Sequence, residues 1–135
     1  MTVNILTVMV GDMIPYVGIV VAIFVFIFGH IVAAQYAPEA AAVEEVFVAR
    51  SPRSALKLGQ ARGAAVVAAL SAGLSIFNYS PRLVKQSVAG YGQADKGQVC
   101  YMVRVLLGLN AEPSSDAVDA LALAICHDHH SALPL

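Results

Sequence analysis

The chain has 135 residues, enough for one domain with a sizeable core. Hydrophobic residues make up 59% and charged residues 13%, against about 45–50% and about 25% in an ordinary soluble domain, which excludes a disordered chain. The formal net charge is −1 and there are two cysteines with no CxxC, so total charge names no partner, and Cys100 and Cys126 are expected as buried free thiols in a reducing compartment.

Much of the apolar excess lies at the front. Residues 14–34 read IPYVGIVVAIFVFIFGHIVAA, where His30 is the only strongly polar side chain. The wider run NILTVMVGDMIPYVGIVVAIFVFIF fits two structures. One is two or three buried strands turned at Gly11-Asp12 and near Pro15. The other is a membrane helix, since 21 residues extend about 32 Å against a bilayer core of about 30 Å. No Lys or Arg precedes this run, so it is no secretory signal, and a spanning helix would leave the C-terminal part in the cytoplasm.

AAAVEEVFV, residues 40–48, is rich in small and β-branched residues and reads as a buried strand. Ser51-Pro52 then places a capping hydroxyl before a proline at the first helical position. That helix runs through RSALKLGQARGAAVVAALSA and stops at Gly73. LSIFNYS, residues 74–80, is a second strand. Ser80-Pro81 starts another helix, RLVKQSVA, ended by Gly90. A further helix covers roughly Asp95 to Leu107 and ends at Gly108. Ser114 or Ser115 caps the last, DAVDALALAICHD. Strand–helix–strand order predicts an α/β fold with at least one parallel pair.

Charge is distributed unevenly. All eight basic residues, Arg50, Arg53, Lys57, Arg62, Arg82, Lys85, Lys96 and Arg104, fall between positions 50 and 104. Asp95 is the one acid there, leaving a net +7. Such a middle suits a polyanion, and solvated helix faces account for it equally well.

The carboxylates point to chemistry. Asp116 and Asp119 are three apart at a helix start, so they share a face with Cβ atoms about 5–6 Å apart. Like charges that close repel unless the helix N-terminus or a cation lies between them. Glu44 sits inside an apolar strand, where a carboxylate is costly unless paired or bound to metal. Glu45 points to the opposite face. A strand carboxylate converging on two from a helix tip makes an oxygen site suited to Mg²⁺ or Mn²⁺, which hydrolyses phosphodiesters. The plainer alternative has the two aspartates as capping residues and Glu44 exposed at an edge. His127, His129 and His130 in HDHH read as surface at a frayed helix end.

Three stretches carry a resemblance: EEVFVARSPRSALKLGQARGAA, YSPRLVKQSVAGYGQADKGQVCYMVRVLLGL and DAVDALALAICHDHH. From about Ala33 to Ala132 the chain resembles the RuvC family of Holliday-junction resolvases. The resemblance implies a single ribonuclease-H-like α/β domain over residues 1–135, with residues 1–32 divergent and N-terminal strands altered or partly missing. It implies a cytoplasmic homodimer that resolves four-way DNA junctions by Mg²⁺-dependent cutting in recombination and repair, alongside a branch-migration motor. Glu44, Asp116 and Asp119 match three of the four metal-binding acids. Phe47 matches an aromatic that stacks on a junction base. Lys85 and Lys96 match basic residues near the scissile phosphate. With them, Arg50, Lys57, Arg62 and Arg82 are the expected DNA contacts.

The departure is at the front. Family members open with ILGIDPG…GYGV, whose aspartate is the fourth metal ligand. Laid on it without gaps, ILTVMVGDMIPYVGIV puts Met9 at that aspartate, and a thioether does not replace an anionic oxygen on Mg²⁺. Asp12 stands three residues on. Two alternatives to an active resolvase follow: a junction-binding homologue impaired at Met9, and a membrane-anchored resolvase-like protein.

Overall fold

The computed structural model describes residues 17–45 and 51–131. Strand β1 (Ala40–Glu44) pairs in parallel with β2 (Ser75–Tyr79), Ala40 opposite Ser75 and Glu44 opposite Tyr79. The crossover between them is α2 (Pro52–Ser71). Ser51 caps it by accepting from the Ser54 amide at 3.2 Å, and Pro52 supplies the pre-set first turn. Gly73, at φ 79°, turns the chain into β2. Three helices follow: α3 (Pro81–Ala89), α4 (Lys96–Leu107) and α5 (Ser115–Ser131). Ser80 caps α3 through the Leu83 amide, and Gly90 closes it in the left-handed conformation. Asp95 and Gln98 form a reciprocal capping box on α4, which Gly108 ends. Ser114 caps α5 through the Ala117 amide at 3.3 Å.

The front is the main surprise. Residues of the apolar run form a helix, α1 (Val17–Tyr36), that lies against α2. The two helices come close at Gly29: a Cβ built there would stand 3.0 Å from the Ala68 Cβ. Ala37 at φ 42° closes α1, and Pro38 stops it. The buried strands expected over 17–28 are therefore absent from that stretch, and residues 1–16 lie outside the described residues. Among the described residues no helix is long and apolar enough to cross a membrane. One side of α1 still carries exposed Ile23, Phe24, Ile27, Phe28 and Ile31.

The strand period sorts the core into two layers. Ala41 faces α1 and α2, packing with Ala69, Leu74, Ala33 and Ile76. Ala42 faces the other way into a larger cluster with Tyr79, Val84, Val88, Val99, Val103, Val118, Ala122, Leu123 and Cys126. Ala41 and Ala42 are both essentially inaccessible, and their small side chains let helices approach the sheet closely on each face. Glu44 follows Ala42 by the two-residue period, so its face is the one covered by α3, α4 and α5.

Candidate metal and nucleic-acid site

Glu44 is the last residue of β1, and β2 ends beside it at Tyr79. In open α/β sheets, ligands bind outside the carboxyl ends of the strands. A cavity of about 470 Å³ opens there, walled by Glu44, Lys85 of α3, Lys96 of α4 and Asp119 of α5. Glu112 and Cys100 complete one side, the Cys100 thiol reaching toward Glu112 Oε1 at 3.8 Å.

Partial burial pushes the Glu44 carboxyl above its ordinary value of 4.5; the negative charge of Asp119 adds to the rise and Lys85 partly opposes it. The two carboxylates are thus close enough to feel each other, with an ammonium group nearby. Asp116 behaves differently. Ser115, Val118, Asp119, Ala122 and Leu123 of α5 face the cavity, and Asp116 is not among its walls. Three residues at about 100° each put Asp116 about 60° round the helix from Asp119, and it is exposed. Among the described residues no three His, Cys, Asp or Glu side chains stand close enough to hold a metal ion together. The pair Glu44 and Asp119 fits a hard divalent cation in donor type, since anionic oxygens suit Mg²⁺ and Mn²⁺ and a cation would relieve their repulsion.

The other expected residues are dispersed. Lys57 lies on α2 and is half-buried, away from the cavity walls. Arg62 donates from Nη2 to Asn78 Oδ1 at 2.7 Å, tying α2 to β2. Arg82 is exposed on α3 and lies across Gly92. Met9, Asp12, Phe47 and Arg50 fall outside the described residues.

Two groups were not foreseen. His127 is buried at 6% exposure rather than frayed surface, and its Nδ1 is 2.7 Å from the Tyr79 hydroxyl. The helix continues past it to Ser131. The signal was in the spacing: with Leu123 four residues before it, His127 extends the buried stripe of Val118, Ala122, Leu123 and Cys126. Cys126 is fully buried as expected, while Cys100 is half-exposed at the cavity.

The parallel α/β sheet with helices on both faces is of the ribonuclease-H-like class, as its likeness to solved structures shows. Residues 20–127 match the family model for crossover junction endodeoxyribonuclease RuvC, and the chain belongs to the RuvC family. The match takes in most of α1, further forward than Ala33. The crossover junction endodeoxyribonuclease RuvC of Marinobacter nauticus is 60% identical over 95 residues, covering 70% of this chain and 54% of that protein. That of Halorhodospira halophila is 54% identical over 102 residues, covering 76% and 61%. The chain therefore spans little more than half the length of the curated relatives it matches. The structure of Thermus thermophilus RuvC superposes with a TM-score of 0.79 at 38% identity, over 92% of this chain and 74% of that one. Thermus thermophilus RuvC in complex with Holliday junction substrate gives 0.77 at 41% identity, over 82% and 67%.

Proposed function

We propose that this chain is a structure-selective endonuclease that cuts four-way DNA junctions by divalent-metal-dependent phosphodiester hydrolysis, in recombination and repair. The observation that carries the reading is the cavity at the strand ends, where Glu44 and Asp119 meet Lys85 and Lys96 within the stretch matched to the family. The proposal takes the chain as a single cytoplasmic domain acting as a homodimer, because a four-way junction needs two symmetric cuts. Association with a branch-migration motor is part of the same reading.

Glu44 and Asp119 hold the metal, taken as Mg²⁺ with Mn²⁺ as a substitute, and Asp116 serves it from the rim. A divalent cation held there would supply an activated water and charge stabilisation of the leaving oxygen. Glu44 must be ionised to offer its oxygen, so its burial beside Asp119 makes uptake of the cation sensitive to pH. Lys85 and Lys96 hold the phosphate flanking the cut as point charges. Phe47 stacks on a junction base, and Arg50, Lys57 and Arg82 track the phosphate backbone further out. Arg62, held by Asn78, serves the fold first.

A second reading, in which junctions are bound but not cut, rests only on the ungapped alignment that puts Met9 where the family has an acid. One gel assay separates the two: purified protein with a synthetic four-way junction, with and without Mg²⁺, beside Met9→Asp. Symmetric cutting by the unaltered chain supports the enzyme. A shifted but intact junction, cut only by Met9→Asp, supports the impaired homologue. No shift with either protein refutes both.

A further inference from the structure

The buried pair Tyr79 and His127 has no part in the chemistry above, yet it joins β2, the strand paired with the one that carries Glu44, to α5, which carries Asp119. Tyr79 is the last residue of β2 and stands opposite Glu44 in the sheet register. Its carbonyl also accepts from the Glu45 amide at 2.8 Å, so the end of β1 is tied to it directly. From the same residue the hydroxyl reaches His127 Nδ1 at 2.7 Å on α5. The Phe77 ring packs on the imidazole with centroids 4.6 Å apart. Among the described residues this is the one buried side-chain hydrogen bond between the sheet and α5.

We propose that Tyr79 and His127 are positioning residues: their hydrogen bond sets the roll of α5 against the sheet and so the placement of Asp119 relative to Glu44. His127 lies eight residues beyond Asp119, about 12 Å up the helix. A bond at that distance does not touch the metal, but it controls rotation of the whole rod. A carboxylate sits about 5–6 Å from the helix axis, so a roll of about 10° moves it about 1 Å. That exceeds the tolerance of about 0.5 Å within which a working constellation must be held. Apolar packing by Val118, Ala122 and Leu123 is non-directional and permits small rolls; a buried hydrogen bond, being directional, does not.

This rests on the reading of Glu44 and Asp119 as metal holders, and its test does not require cutting. Mn²⁺ uptake is followed by loss of the free-ion electron paramagnetic resonance signal for four proteins: unaltered, Tyr79→Phe, His127→Phe and the double variant. Tm is measured on each. Tyr79→Phe is expected to raise the half-saturating Mn²⁺ concentration about tenfold, comparable to the lower end of the effect of losing a bond that orients a metal ligand. It also lowers Tm by leaving the imidazole without its partner. In the double variant both polar partners are gone, so Tm recovers toward the unaltered value while Mn²⁺ uptake stays weak. That split is the signature of positioning. Uptake within about twofold of the unaltered protein in Tyr79→Phe would overturn the proposal, as would full recovery of uptake in the double variant. If the unaltered protein takes up no Mn²⁺, the metal-holding reading falls and this proposal with it. Normal uptake with no cutting of junctions removes only the nuclease reading.

Discussion

The α1–α2 seam gives the sharpest test of the fold, because a helix inserted in lipid and a helix packed on α2 respond oppositely to bulk at Gly29. A Cβ at Gly29 would meet the Ala68 Cβ at 3.0 Å, where carbons prefer about 3.5–4.0 Å. Ala68 is wholly buried and cannot swing away. Gly29→Ala therefore balances a mild clash against the gain of about 1 kcal/mol for replacing glycine inside a helix, and a near-neutral result is expected. Gly29→Leu drives three more carbons into the seam. Overpacking costs about 1–3 kcal/mol, and the recovered helix propensity offsets less than 1 of it. The net is about 1–2 kcal/mol, or roughly 3–10 °C in Tm for a chain of this size. The assay is thermal melting followed by circular dichroism, with Ala68→Gly added to Gly29→Leu to reopen the space. Partial recovery in the pair shows the two residues touch. A Tm unchanged by Gly29→Leu would refute the packing of α1 on α2.

Glu44 predicts a pH dependence. Its carboxyl titrates above its ordinary value in the folded protein, so over that window the folded state binds more protons than the unfolded one. Stability without metal then falls as pH rises from about 4.5 through the raised value; Glu44→Gln flattens that slope and raises Tm at neutral pH, as melts across pH will record. Lys85→Ala and Lys96→Ala should each weaken junction binding and reduce the salt slope of the binding constant by about one, measured by fluorescence anisotropy at several salt concentrations. Arg62→Gln, by contrast, should cost about 1–2 kcal/mol of stability through the lost bond to Asn78 and leave that slope largely in place.

Local signals in the sequence carried most of the helical layer. Ser51-Pro52 and Ser80-Pro81 cap α2 and α3, and Gly73, Gly90 and Gly108 lie at the far ends of α2, α3 and α4, as expected; Asp95, read only as the rough start of α4, is its cap. The two described strands fall within the runs read as buried and pair in parallel across the intervening helix, but β2 is exposed at Ser75, Phe77 and Asn78 rather than buried along its length. The front resisted because a segment apolar at nearly every position has no period, and periodicity is what separates a helix from a strand. Its abundance of Val, Ile and Phe leans toward strand; the contact of Gly29 with Ala68 is tertiary and invisible locally. Within the site, Glu44 and Asp119 were legible from the cost of a carboxylate among apolar residues and from helix spacing. The offset of Asp116 was not, since sharing a helix face leaves about 60° of latitude and only the packing of α5 decides which acid turns inward. Tyr79 with His127 was missed because the polar run HDHH looked like an ending.

The Ser-Pro starts of α2 and α3 also dictate where the chain can tolerate a change of length. A cap and a proline fix the residue at which a helix begins, and every later side chain inherits its direction from that origin. Lys85 stands five residues after Ser80, so deleting one residue between them swings it about 100° away from the cavity. The same deletion at the exposed Asn110 and Ala111 leaves the origins of α4 and α5 where they are, since Asp95 and Ser114 carry those caps. Among relatives of this protein, gaps should therefore gather between Gly108 and Ser114 and avoid the interval from Ser80 to Lys85, a pattern of lineage divergence set by helix phase.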